Sequence, residues 1–402
     1  MQLAGIEVWD GRTAIGVCDL VWSRSGADAR FDAVVGAQSE PAFAGLSVIP
    51  GLIDTHVHVV GFAGGSGKDF FTWPLMTPPE EQVLHGLAQL RRGLQGGVTT
   101  VRDLASEEMH LALRAGINDG VVVGPRLVTH GVVGMTAGHN DLFTPVNFPV
   151  RKRTADGPDE CRKQVRTWAR LGMDGIKVTT GGGVLSQGDK NEWRNYSPAE
   201  LDTIVDEAHA LGMPVAAHAH TEAAIEAALR HGADSIEHGT LITADQADRA
   251  VERGVSVAPT LLINEAIANR TVPVSDDAAE KAKALVDKRN ERLRVAADAG
   301  VDFVLGTDAN GFHVAFGDQM AEVRRMAEIF GWGAERALQS ATSSAARAIG
   351  RAEGLGTVAS GFAADFLVVR GRPWEQLSAL DTENIVAVVS RGEVVHGSLP
   401  VA

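Results

Sequence analysis

The chain has 402 residues, 45% hydrophobic and 22% charged, with a formal net charge of −14. That is a globular composition, long enough for one large core and a smaller satellite domain. The acidic balance disfavours nucleic acid and anionic membranes, which need clustered Lys and Arg, and no apolar stretch reaches the roughly 18 residues of a membrane span.

The first segment alternates apolar and polar residues between Gly- and Asp-rich turns, as in Leu3–Trp9 and Gly16–Trp22. Such alternation predicts short antiparallel strands. The C-terminus repeats the pattern at Ala364–Val369 and Ile385–Val389, with a turn at Arg391–Glu393. Neither end holds enough apolar residues for its own core. The expectation is one β-sandwich domain from residues 1–49 and 353–402.

Between them, from residue 50 to 352, short β-rich runs alternate with helical ones, the signature of βα units. The runs begin at Leu46–Ile49, Thr99–Val101, Arg126–Val128, Gly175–Val178, Pro214–Ala217, Asp234–Ile236, Val255–Ala258 and Phe303–Leu305. Ser197-Pro198-Ala199-Glu200 is a capping box with Pro at the first helical position. About eight units predict an α/β fold of (β/α)₈ TIM-barrel type, whose catalytic residues sit at the C-terminal strand ends.

Five islands of metal-binding or proton-moving residues fall at such places: His56 and His58, Lys177, His218, His238 and Asp308. His56 and His58 are two apart, so on a strand both imidazoles share one face. Lys177 has apolar neighbours, and burial favours its neutral amine. It either packs its stem while pairing with an acid such as Asp308, or reacts with carbon dioxide to a carbamate (N6-carboxylysine) able to bridge two metal ions. Asp308 reads as a helix N-cap or as a ligand that shuttles protons.

The segments Pro50–His58, Gly175–Gly183, Val215–Thr221, Asp234–Thr240 and Gly306–Ala309 resemble the amidohydrolase superfamily. More narrowly, they are similar to its imidazolonepropionase-related branch of binuclear zinc prolidase-like dipeptidases and aryl-amide hydrolases. The resemblance implies His56, His58 and Asp308 on the first metal, His218 and His238 on the second, and carboxylated Lys177 bridging both. Two divalent ions, with zinc expected, against a carbamate, Asp308 and a bridging hydroxide leave about one unit of positive charge, which depresses the pKa of bound water. The expected reaction is hydrolysis of an amide by that hydroxide, with Asp308 passing the proton to the leaving amine. A cyclic amide or lactone, or an organophosphonate ester, is the alternative substrate on the same centre. A non-catalytic metal scaffold is a third reading, disfavoured by the complete ligand set. His220 stands where related peptidases often carry Tyr, which weakens direct transfer of a dipeptide substrate.

His139 and His220 are the expected donors to a substrate oxygen, with His313 a weaker candidate. Phe62, Phe70, Phe71, Trp73, Phe143, Phe148, Trp193, Phe312 and Phe316 make the loops over this face aromatic, which suits a bulky or aromatic small-molecule substrate. Arg153, Lys190 and Arg194 are the loop cations that could meet a substrate carboxylate. Cys18 and Cys161 are far apart and no CxxC occurs, so neither a disulfide framework nor a thiolate site is expected. Met1–Asp10 shows no signal-peptide pattern, so a cytoplasmic enzyme is expected. Aromatic loops also suggest a homo-oligomer.

Overall fold

The structure, a computed structural model, describes residues 1–25, 28–37, 40–60 and 70–401. Phe62 lies outside these residues. In chain order the strands are β1 (Gln2–Trp9), β2 (Ala14–Ser25), β3 (Asp28–Gly36), β4 (Leu46–Pro50), β5 (Leu52–Val57), β6 (Val98–Ser106), β7 (Arg126–Val132), β8 (Gly175–Thr179), β9 (Val215–Ala219), β10 (Ser235–His238), β11 (Ser256–Ala258), β12 (Asp302–Phe303), β13 (Phe366–Arg370), β14 (Ile385–Ser390) and β15 (Glu393–Gly397).

The two ends of the chain build one sheet, in the order β15-β14-β13-β4-β1-β2-β3. The join is β4, parallel to β1 on one side and antiparallel to β13 on the other. The alternation seen in the sequence explains why both ends are needed. Ile6, Leu20, Trp22 and Phe31 from one end and Phe366, Val368 and Ala387 from the other form one buried cluster. Trp22 meets Phe366 edge-on with centroids 5.2 Å apart, and its indole donates to the Gly392 carbonyl at 3.0 Å. Backbone bonds from Phe31 N to Phe362 O and from Ala364 N to Ala29 O bring β3 back against the segment before β13. The expected sandwich is therefore one ladder rolled over its own core.

The strands β5 to β12 are parallel neighbours in sequence order. The ring closes where Thr55 N donates to Leu305 O, Asp308 N to His56 O and His58 N to Ala309 O, at 2.8–2.9 Å. One sequence assignment is corrected here. Leu46–Ile49 was expected to open the barrel, but it is β4 of the terminal sheet, and the first barrel strand is β5. Both strands are buried apolar runs with one glycine between them, which periodicity cannot divide. The division lies at Gly51, where a Cβ would fall 2.2 Å from Thr99 Oγ1.

The helices begin as their caps dictate. Ser197 accepts from Glu200 N while Glu200 accepts from Ser197 N at 2.6 Å, opening Pro198–Ala210. Thr243 opens Ala244–Arg253 with the same reciprocal box to Gln246, and Thr221 caps Glu222–His231 by accepting from Ala224 N alone. The strand-to-helix links after β9 and β10 are short, which leaves those C-terminal strand ends clear for side chains. No helix among the described residues is long and apolar enough to cross a membrane.

Candidate metal centre

His56 is the penultimate residue of β5 and His58 follows the strand, Lys177 lies within β8, His218 within β9, His238 ends β10, and Asp308 follows β12. All six line one cavity at the barrel mouth. Asp308 Oδ1 lies 3.0 Å from His58 Nε2 and 3.6 Å from His56 Nε2. His238 Nε2 lies 2.9 Å from His218 Nδ1. Candidate ligand atoms of His56, His238 and Asp308 fall within 4.8 Å of one another, and so do those of His218, His220 and His238. The islands thus converge as the sequence predicts.

The backbone is bent to achieve this. His238 and Asp308 have φ of 74° and 56°, in the left-handed region that non-glycine residues avoid. Each such residue costs about 1–3 kcal/mol and persists only where its surroundings enforce it. At Asp308 the enforcement is visible. Its N–H is bonded to His56 O. The preceding Thr307 donates from Oγ1 and N to the buried Asp54 carboxylate, at 2.6 and 3.1 Å.

Burial sets the charge states. It holds His218 and His238 well below the ordinary imidazole range, reinforced by neighbouring imidazoles. Burial also lowers His56, against the upward pull of Asp308. Neutral rings keep a lone pair for a metal. Burial opposes ionisation of Asp308, but His56, His58 and Lys177 bring its carboxyl down to about 2. Lys177 is pushed down to about 8 by burial, in spite of Glu237 and Asp308 nearby. Its Nζ is buried and finds no hydrogen-bond partner among the described residues.

Sequence reasoning missed the buried pair under this centre. Glu237 Oε2 lies 2.9 Å from His56 Nδ1. Its Oε1 accepts from Arg102 Nη2 at 2.8 Å and from Ser235 Oγ at 2.7 Å. Arg102 Nε donates to Thr55 O at 2.6 Å. Burial works against the Glu237 carboxylate, yet Arg102 and His56 hold it below the usual carboxylate range. The signal was present: two charges inside short apolar strands need each other.

His139 lies on the loop after β7 and stacks on His218, with centroids 4.4 Å apart. Its Nδ1 is 2.7 Å from Ser186 Oγ, which donates to Asp189 Oδ2 at 2.6 Å. That commits the hydroxyl proton, so Nδ1 donates to Ser186. A neutral ring then has Nε2 as an acceptor, and only the imidazolium donates from it to a substrate oxygen. A Cβ on Gly183 would fall 1.9 Å from His139 Cε1, so the ring needs a glycine beneath it. Lys281 donates to the carbonyls of Ser186 and Asp189, at 3.1 and 3.0 Å, and pins this loop from a helix. His220 also lines the cavity, with Nδ1 2.8 Å from Thr240 Oγ1.

The aromatic wall is smaller than the sequence suggested. Phe70, Phe71 and Phe143 line the cavity. Phe312 and His313 stand behind Phe70, with centroids 5.7 and 4.8 Å from it. Trp73 is buried against His85, and Phe148 and Phe316 are also off the wall. Trp193 and Arg194 are exposed and do not line the cavity, because the strand-like bridge from Gly181 to Arg194 carries them outward. Lys190 is exposed as well. Arg153 is taken by Glu108 and the Trp168 ring. The cation that does reach the wall is Lys152.

A closed parallel barrel with histidines, a lysine and an aspartate at its strand ends defines a hydrolase class. The chain belongs to the amidohydrolase family, whose sequence model matches residues 47–395. It is a hydrolase acting on carbon–nitrogen bonds. It is 31% identical to ochratoxinase from Aspergillus niger over 372 residues, covering 86% of this chain and 74% of the relative. With imidazolonepropionase from Ralstonia nicotianae it shares 26% identity over 418 residues, covering 96% and 93%. A solved Xaa-Pro dipeptidase with methionine bound in its active site is similar at a TM-score of 0.85 and 29% identity, covering 97% of this chain and 98% of that one.

Proposed function

We propose that the chain is a binuclear metal-dependent hydrolase that cleaves an amide bond in a peptide-like, N-acyl amino acid or aryl-amide substrate. The observation that carries this reading is Lys177, a buried amine with no hydrogen-bond partner among the described residues, surrounded by neutral imidazoles. A lysine placed for structure would be paired. A lysine placed for carboxylation must be neutral, close to metal ligands and free of a competing partner.

In this reading His56, His58 and Asp308 would hold one divalent ion and His218 and His238 a second, with a carboxylated Lys177 as a ligand common to both and zinc the expected metal. Bound there, the ions supply positive charge that acidifies water and polarises a carbonyl. Glu237 keeps the His56 ring in one tautomer and orientation. Asp308 is ionised and stands at the cavity, where its carboxylate takes a proton from the attacking water and returns it to the leaving amine. His139 and His220 position the substrate. Phe70, Phe71 and Phe143 hold a bulky apolar group and exclude water from the reacting bond. The names of the similar proteins, an ochratoxinase and a Xaa-Pro dipeptidase, are consistent with a small amide substrate.

Growth with zinc and ¹³C-bicarbonate tests the centre. The expected result is a pair of metal ions per chain and a carbamate carbon signal, both lost in Lys177→Met. Metal-free protein that hydrolyses aryl amides or N-acyl amino acids at full rate would overturn the proposal.

A further inference from the structure

Resting on the binuclear reading above, we infer that Thr260 is a positioning residue for the proposed ligand His238, and that the buried acid Glu322 holds Thr260 in place for that task.

Thr260 stands two residues beyond β11, the strand paired with β10, and begins the helix Leu261–Ala268. A threonine at that place ordinarily caps its own helix, as Thr221 and Thr243 do. Thr260 does not. Its hydroxyl makes no cap bond and lies instead 2.6 Å from His238 Nδ1. The capping comes from another helix. Glu322, on Met320–Phe330, accepts from Leu261 N at 2.5 Å and from Leu262 N at 3.0 Å. Arg289 secures the same turn by donating to Leu261 O at 2.9 Å and pairing with Glu265. Thr260, Arg289 and Glu322 are all fully buried.

The backbone tells the same story. Thr260 has φ 45° and ψ 55°, a left-handed conformation that a β-branched residue scarcely adopts. Glycine would relieve it but would lose the hydroxyl. Strain of this kind persists where the surroundings impose it. Here the imposing groups are Glu322 on the two following N–H groups and Asn264 Nδ2, which donates to the Thr260 carbonyl at 3.3 Å.

The strain secures the orientation of an imidazole. His238 Nε2 faces His218 Nδ1 at 2.9 Å, and His218 Nε2 is 3.3 Å from Gly182 O. A carbonyl only accepts, so the neutral His218 ring carries its proton on Nε2 and presents Nδ1 as a lone pair. His238 needs an acceptor at Nδ1 for its Nε2 to offer a lone pair beside it. The Thr260 hydroxyl is that acceptor, and it can also donate to Nδ1 when Nε2–H bonds to His218. In both tautomers the ring keeps one plane, which is how a partner behind a ligand supports a metal. Thr260 itself does not line the cavity, so it acts through His238.

Zinc titration and the visible spectrum of the cobalt-loaded chain test this. Thr260→Val keeps the side-chain shape and removes the hydroxyl. It is expected to weaken one of the two metal sites about 10–100-fold and to shift the cobalt bands. Thr260→Ser should restore both. Glu322→Gln, which touches no proposed ligand, should reproduce the cobalt shift, and the double variant should lose no more affinity than Thr260→Val alone. Losses that add in full overturn the link to Glu322. A lowered urea midpoint in Thr260→Val, with affinity and spectrum unaltered, means that Thr260 only stabilises the fold and overturns the inference. A wild type that takes up no metal counts against the binuclear reading. The ¹⁵N resonance of His238 Nδ1 in the metal-free chain then decides Thr260 separately. It should move in Thr260→Val and return in Thr260→Ser, and an unmoved resonance overturns the inference.

Discussion

The Nδ1 of His56 lies 2.9 Å from Oε2 of Glu237, and the other oxygen of that carboxylate is held by Arg102 at 2.8 Å. All three side chains are buried. The charge pair and the proposed ligand are thus one unit, and removing any member exposes the others to an unpaired state.

Glu237→Gln should therefore act twice. It leaves the buried Arg102 guanidinium uncompensated, a loss of about 3–5 kcal/mol. It also frees the His56 ring, lowering metal affinity about 10–100-fold. Urea unfolding and zinc titration would measure each effect. The double variant Arg102→Met/Glu237→Leu should be less destabilised than the single one. A double-variant loss equal to the sum of the two single-variant losses would show that the pair has no coupling.

The support under His139 makes a separate prediction. Gly183→Ala puts a methyl group into the His139 ring, and Lys281→Met releases the loop that carries Ser186 and Asp189. A displacement near 1 Å can reduce turnover about 100-fold. Both variants should lose kcat while retaining metal content and fold, with the Gly183 change the more severe. Unaltered kcat in both would remove His139 from the reaction.

A pH dependence follows from His130. Burial, with Arg102 adding to it, pushes its imidazole down to about 3 from an ordinary 6.5. The folded ring stays neutral while the unfolded ring binds a proton below about pH 6.5. Stability is thus full above that value and falls as pH drops towards 3, at up to about 1.4 kcal/mol per pH unit for this one group. His130→Met should flatten the curve by that amount. Urea midpoints at pH 7 and pH 5 give the comparison, and parallel curves would refute the assignment.

The rolled terminal sheet depends on Trp22. Trp22→Ala removes its edge contact with Phe366 and its bond to Gly392 O, and should cost about 3–5 kcal/mol. The cavity proposed as the active site lies in the other sheet's barrel, so turnover at low temperature should persist while the thermal midpoint falls. Loss of turnover with no change in the midpoint would place Trp22 in the reaction instead.

Much of this was legible without coordinates because it follows from local spacing. The His56/His58 pair, the apolar flanks of Lys177 and the positions of His218, His238 and Asp308 beyond β-rich runs all point to strand ends. Strand ends of one barrel meet at one mouth, so five separated islands imply one centre. The Ser197–Glu200 cap is likewise a property of four consecutive residues. The tertiary structure alone decided the rest. It assigned Leu46–Pro50 to the terminal sheet, since two buried strands flanking one glycine look alike in sequence. It joined Glu237 to Arg102 and His56 across three strands, a contact set by barrel register. It turned Trp193 and Arg194 outward and Lys152 inward, because a loop side chain's direction depends on what its backbone is fastened to, and here that was Gly181 for one loop and two arginine–carboxylate pairs, Arg151–Asp141 and Arg153–Glu108, for the other.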